Sequence, residues 1–252
     1  MVAALVLFAG CGSDGSGRAA TTGSTAVAHA TGTVQVLAAS SLTDVSASLA
    51  AAFEAANPGA KVELTFDGSA RLASEILEGV PADVLVAADE ASVERVTQAG
   101  AAAGPRETVA TNELQIVVPA GNPKGINGLR DLAKGVIVAL CRPEVPCGSY
   151  ARQAFALAGV GVPSAGQEDS VRAVLAKVRL GEADAGVVYR TDVLSADGVS
   201  GVDLAPGQQV RATYPATVLA DAPNPRAASA FVEFLRGAAA RRIFAAAGFG
   251  RP

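Results

Sequence analysis

Between Val34 and Ala99 the chain alternates short apolar runs with stretches in which apolar residues recur every three or four positions. Val34–Leu37, Val62–Phe66 and Val84–Ala87 read as strands, the middle one by its alternation. The intervening pattern predicts a helix from about Ser41 to Ala56. Leu42, Val45, Leu49 and Phe53 share one face of it, and Asn57-Pro58-Gly59 is a stop signal. A second helix runs from Ser69 to Glu78, with Leu72 and Ile76 inward and Gly79 as its C-terminal signal. Ser92–Ala99 is a third, short one. This βαβαβ rhythm implies a mostly parallel sheet with right-handed crossovers.

Leu114–Val118 opens a second unit, followed by Leu129–Ala133, strand Val136–Leu140, helices Ser149–Ala158 and Ser170–Leu180, and strand Ala185–Tyr189. The last segments, Thr213–Leu219 and a helix over Arg226–Phe244, have no further unit to complete, so they are expected to return to the first. The expectation is two α/β lobes, 33–112 plus 216–252 and 113–215, with crossings near Asn112–Glu113 and Tyr214–Pro215.

Composition narrows the function. Half of the 252 residues are hydrophobic and 17% are charged, enough for a substantial core. The net charge of −4 and the scattered Lys and Arg argue against nucleic-acid binding. The one histidine, His29, lies in a polar stretch and reads as a solvated residue, which removes His-based triads and most zinc sites. Val2–Ala9 is an apolar run too short to span a bilayer, and it ends at Phe8-Ala9-Gly10-Cys11. This resembles a bacterial lipoprotein signal over residues 1–10, with lipidation of Cys11; an ordinary signal peptide is the alternative. Residues 11–32, rich in Gly, Ser, Thr and Ala, are expected to form a flexible tether. Cys141 and Cys147 remain, and in an exported protein such a pair is expected to form a disulfide. A redox-active pair is the alternative, although the spacing is not C-x-x-C.

Four helix starts share one character. Ser41 follows Ala38-Ala39-Ser40, and Ser69 follows Phe66-Asp67-Gly68. Cys147-Gly148 precedes Ser149, and Val171 follows Ser170. Small residues at a strand-to-helix junction let a ligand approach backbone N–H groups that have no partner within the helix, where the helix dipole is positive. Such ends converge at the carboxyl edge of the strands, in the crevice between lobes, and suit an anion. Any one of them alone is equally an ordinary Ser N-cap. Tyr189 ends a strand-like run, where its hydroxyl could face the same crevice.

AASSLTDV, the Phe66–Ser69 turn, PADVLVAAD at Pro81–Asp89, VPCGSY at Val145–Tyr150, EDSVRAVL and ADAGVVY at Ala183–Tyr189 occur in this order. Together they resemble the molybdate-binding proteins of molybdate ABC importers, from about Thr33 to the end. The resemblance implies a type II periplasmic-binding-protein fold and no cofactor or catalytic residue. It implies molybdate or tungstate as ligand, a membrane permease as partner, a monomer, and a location on the outer face of the cytoplasmic membrane. Ser41 and Ser69 match serines that bind the oxyanion through hydroxyl and N–H. Cys147 and Val171 match backbone N–H donors, and Tyr189 matches a tyrosine whose hydroxyl completes the site. Asp67 stands where a small neutral residue is usual and is expected to face away. Cys147 keeps its backbone role if a bond to Cys141 directs its sulfur elsewhere.

Other classes fit less well. An enzyme could use a serine at a helix start, but no His is available, and Lys177 is the only Lys near the motifs. Ferric-iron receptors use adjacent tyrosines, whereas Val188 precedes Tyr189. Amino-acid receptors need an Arg and an Asp with no evident placement here. Sulfate or another oxyanion is the runner-up ligand. The ligand-sensing domain of a transcription regulator is disfavoured by the export signal.

Overall fold

The computed structural model describes residues 1–3 and 29–252. The leader beyond Ala3, the expected lipidation site at Cys11 and the tether as far as Ala28 lie outside the described residues. Thr31 and Gly32, expected in the tether, already pair in the first strand.

Strands β1 (Thr31–Ala39), β2 (Gly59–Asp67) and β3 (Val84–Val86) are parallel and are joined by α1 (Thr43–Ala56) and α2 (Ser69–Leu77). After α3 (Glu90–Gln98) comes β4 (Glu107–Pro119), thirteen residues long. Its first part, Glu107–Glu113, pairs with β9 (Arg211–Val218). Its second part, Leu114–Pro119, pairs with β7 (Ala185–Tyr189) and β8 (Val199–Asp203). One strand therefore belongs to two sheets, and the chain passes between lobes at Glu113–Leu114.

The first sheet has the order β2-β1-β3-β9-β4. The second has the order β6-β5-β7-β4-β8, where β5 is Val138–Cys141 and β6 is Ala165–Glu168. In each, four strands run one way and one runs against them: β9 in the first, β4 in the second. This is the two-lobe, type II periplasmic-binding-protein architecture. Helices α4 (Pro146–Leu157), α5 (Val171–Arg179) and α6 (Arg190–Leu194) belong to the second lobe. Helices α7 (Pro225–Arg236) and α8 (Ala238–Ala246) return to pack on the first.

Strand β1 shows why parallel strands read as continuous apolar runs: both its faces are covered. Val34, Val36 and Ala38 join the main core with α1 and α7, where the Phe53 ring meets Phe231 and Phe234 edge-on at 5.1 and 5.6 Å. Leu37 points the other way, to Leu72, Ile76, Val93 and Val96 beneath α2 and α3.

The structure departs from the pattern-based expectation in three places. The helix expected over Arg226–Phe244 is two helices, because Gly237 takes an extended conformation (φ −72°, ψ 165°) that ends α7 and caps α8. Strands β6 and β8 were not expected; both lie at edges and are half-exposed, so neither carries an apolar run. The boundary expected at residue 215 falls inside β9, which pairs with the first sheet from Arg211 onward.

Candidate functional site

The carboxyl ends of β1, β2 and β3 face those of β5 and β7 across the crevice, and each delivers a turn into a helix start. After β1, Ser40–Leu42 forms a 3-10 turn, and Thr43 Oγ1 donates to Ser40 O at 2.7 Å. The expected start at Ser41 is thus this tighter turn, with α1 proper beginning at Thr43. After β2, Gly68 caps α2, so Ser69 is its first residue. In the second lobe α4 begins at Pro146, earlier than expected. Proline has no N–H to offer, which makes Cys147 the first donor of that helix. Ser170 caps α5 by accepting the N–H of Ala173 at 3.3 Å, leaving Val171 at the first position.

These starts meet. Ser41, Ser69, Cys147, Val171 and Tyr189, the five residues singled out from sequence, line one tight cavity of about 10 Å³ together with Ala39, Ser40, Gly68, Ala88, Val145 and Pro146. So tight a space has no room for an extended substrate. Among the described residues no charged side chain lines it. A larger surface groove of about 460 Å³, beside α8 and the C-terminal residues, contains none of the five.

Two of the serine hydroxyls in the cavity are held by hydrogen bonds. Ser69 Oγ accepts the N–H of Ala88 at 2.9 Å. Ser41 Oγ lies 2.9 Å from the hydroxyl of Tyr214, a buried β9 residue. Tyr189 is 1% exposed, and its hydroxyl has no hydrogen-bond partner among the described residues. A buried donor without a partner costs on the order of 1–3 kcal/mol, and this one is available to an acceptor in the cavity it lines. Burial raises the Tyr189 phenol well above its ordinary pKa, so it stays protonated and able to donate.

Cys147 and Cys141 are joined by a disulfide, which ties the Cys147 sulfur to the end of β5. The loop between them folds tightly over Gly148. A Cβ there would lie 1.9 Å from Arg142 O and 2.5 Å from Cys141 O, so only glycine fits. Asp67 does not line the cavity: its Oδ1 accepts the Gly68 N–H at 2.7 Å and its Oδ2 lies 3.1 Å from Arg71 Nε.

Around the cavity the lobes touch. A Cβ on Gly68 would come within 2.3 Å of Asp169 O from the opposite lobe, so this glycine permits close approach. Arg172, on α5, donates to Ser40 O at 3.3 Å and pairs with Asp44 on α1. From behind, Arg172 Nε lies 3.5 Å from Asp192 Oδ1. Asp192 is fully buried, and its Oδ2 accepts the Tyr189 N–H at 3.0 Å. Burial raises its pKa to about 7, against the opposing pull of Arg172 and of the Tyr189 N–H. Arg172 and Asp192 were not singled out from sequence, and Asn112 and Tyr214 entered only as expected crossings between the lobes, not as residues of the site. Arg172 stood in plain view inside EDSVRAVL, but nothing in that string says that it reaches the other lobe.

Comparison with known proteins follows the same outline. A family model described as bacterial extracellular solute-binding protein matches residues 34–250. The molybdate-binding protein ModA of Mycobacterium tuberculosis is 40% identical over 221 residues, covering 87% of this chain and 85% of its own. Among solved structures, the periplasmic molybdate-binding protein of Azotobacter vinelandii superposes with a TM-score of 0.78 at 23% identity, over 87% of this chain and 99% of that one. The sulfate-binding protein SubI of Mycobacterium tuberculosis superposes with a TM-score of 0.77 at 21% identity, over 86% of each chain. At those identities the two structures speak to the fold alone, and the fold carries more than one anion.

Proposed function

We propose that this chain, which belongs to the family of bacterial extracellular solute-binding proteins, captures molybdate between its lobes and delivers it to the membrane permease of an ABC importer. Its relatives are transport proteins, and it is a binding protein, not an enzyme. The observation that carries the choice of ligand is the uncharged cavity, with four helix-start residues and the unpartnered Tyr189 hydroxyl around it. Molybdate is a fully deprotonated tetrahedral dianion near neutral pH, so it accepts hydrogen bonds and donates none. Aligned N–H and O–H dipoles in a dry site hold such an ion without a counter-charge. In this reading Ser41 and Ser69 bind from the first lobe, and Cys147, Val171 and Tyr189 from the second. The anion then bridges the lobes and favours the closed form, with the bend at β4 and β9. The 40% identity to a ModA supports the same ligand.

Tungstate, nearly the same size, is expected to bind comparably. Sulfate has the same charge and shape but is smaller, so stretched hydrogen bonds would penalise it. We also propose that Cys11 carries a lipid that holds the protein, as a monomer, at the outer face of the membrane.

Thermal melting with molybdate, tungstate, sulfate and phosphate tests the ligand. An anion at a hundred times its dissociation constant adds about 2.7 kcal/mol to stability. Stabilisation by molybdate and tungstate is the expected result. Stabilisation by sulfate alone, or by none of the four, overturns the assignment.

A further inference from the structure

Behind Ser41 lies a chain of hydrogen bonds whose direction can be worked out donor by donor. It begins at Asn112, the 3% exposed residue of β4 beside the point where the chain changes lobe. Asn112 Oδ1 accepts the backbone N–H of Glu113 at 2.9 Å. An N–H can only donate, so this contact fixes which end of the amide is oxygen. The Asn112 Nδ2 group then faces two hydroxyls, Thr191 Oγ1 at 2.8 Å and Tyr214 OH at 3.3 Å, and donates to both.

Tyr214 OH therefore already accepts from the amide. It has one proton, and burial raises its pKa far above the usual phenol range, so that proton stays. Its remaining neighbour is Ser41 Oγ at 2.9 Å, so the tyrosine donates to the serine. Ser41 in turn has one proton, and its oxygen is engaged as an acceptor from Tyr214. The hydroxyl proton of Ser41 is left for the cavity that the residue lines. Ser69 is arranged alike by a different device: its oxygen accepts the Ala88 N–H, and its proton is also left over.

We propose that Tyr214 and Asn112 are positioning residues that hold the Ser41 hydroxyl as a donor toward the cavity, and that they thereby select an oxyanion with no proton over one that carries a proton. The inference rests on the anion-site reading above and adds to it the source of its selectivity. A monoprotonated phosphate has the same charge as molybdate but needs one acceptor. With the relay intact Tyr214 occupies one Ser41 lone pair, and the hydroxyl turns its proton, not its second lone pair, toward the bound anion. Without Tyr214 the hydroxyl is free to turn, and its lone pair can receive the phosphate proton.

The test uses Tyr214→Phe, which keeps the ring that packs against Tyr189 and Phe249. Calorimetry at mildly alkaline pH would compare sodium molybdate, sodium sulfate and inorganic phosphate, which is then mainly the monoprotonated dianion. Molybdate and sulfate are expected to weaken in parallel, by about three- to tenfold, the size of one neutral hydrogen bond. Phosphate is expected to hold or gain, so that the molybdate-to-phosphate affinity ratio narrows by about threefold or more. Asn112→Ala, which leaves Tyr214 free to turn its own proton elsewhere, should narrow the same ratio. It also serves if Tyr214→Phe does not fold. Ser41→Ala should weaken molybdate without helping phosphate. If the wild-type chain binds molybdate but both relay variants keep the wild-type ratio, the relay inference fails and the functional reading stands. If the wild-type chain binds no oxyanion, both fail.

Discussion

Tyr189→Phe separates the proposed binding role from a structural one by moving stability and affinity in different directions. The substitution removes one oxygen and leaves the ring, which meets Tyr214 edge-on at 6.1 Å. In the closed structure that oxygen is buried and unpartnered, so deleting it removes a desolvation cost of about 1–3 kcal/mol instead of a bond. Where the lobes part and water reaches the hydroxyl, the change is neutral. The unliganded protein should therefore be as stable as wild type or more so. With a dianion bound, the same hydroxyl would make a charge-assisted hydrogen bond worth about 1.5–3 kcal/mol. At 1.4 kcal/mol per tenfold, molybdate affinity should fall by about 10- to 140-fold. Urea titration without ligand measures the first quantity and calorimetry with molybdate the second. A variant that loses about 2 kcal/mol or more of stability while holding molybdate within twofold of wild type would refute the reasoning, because Tyr189 would then be a core residue only.

Two more outcomes follow from the groups that hold the lobes together. Asp192, raised by burial to about 7 from 3.8, binds its proton more tightly in the folded chain than in the unfolded one. Its contribution is thus fully present below about pH 4 and is lost as pH rises to about 7, so stability should decline across that window. Asp192→Asn, which keeps an oxygen for the Tyr189 N–H, should flatten that part of the profile in urea titrations; an unchanged slope would show that other groups cause it. Gly68→Ala places a methyl 2.3 Å from Asp169 O only when the lobes are shut. It should weaken molybdate by about tenfold or more while leaving unliganded stability nearly unchanged, since a 1–3 kcal/mol clash exists in the closed form alone. A large drop in unliganded melting temperature would show that the contact also exists without ligand.

The site is legible in the sequence to the extent that it is made of backbone. A helix start announces itself locally, through Ala39-Ser40-Ser41, Gly68-Ser69 or Pro146-Cys147, because the need for small residues and a cap is satisfied within a few positions. That is why five residues from separate motifs, each marked by its immediate neighbours in the chain, are found around one cavity. The same holds for the buried strands, whose two covered faces leave an unbroken apolar run. Edge strands β6 and β8 carry no such run, and the break at Gly237 hides inside a pattern that stays helical on both sides.

What stays hidden is what crosses the sheet order. Tyr214 and Ser41 are 173 positions apart, and Asn112 and Tyr214 are 102 apart. Nothing in TYPATV or TNEL distinguishes a tyrosine that packs from one that hands a proton forward. The difference comes from register: β4 and β9 pair so that Tyr214 lies opposite Ala110, two residues from Asn112 and on the edge facing the turn after β1. The backbone donors are set by local chain geometry and suit any tetrahedral anion. The direction of the side-chain protons is set by tertiary pairing, and it bears on whether the anion may carry a proton of its own. A related chain could therefore keep all five cavity residues and still differ in its anion, if the residue at the Tyr214 position no longer donated.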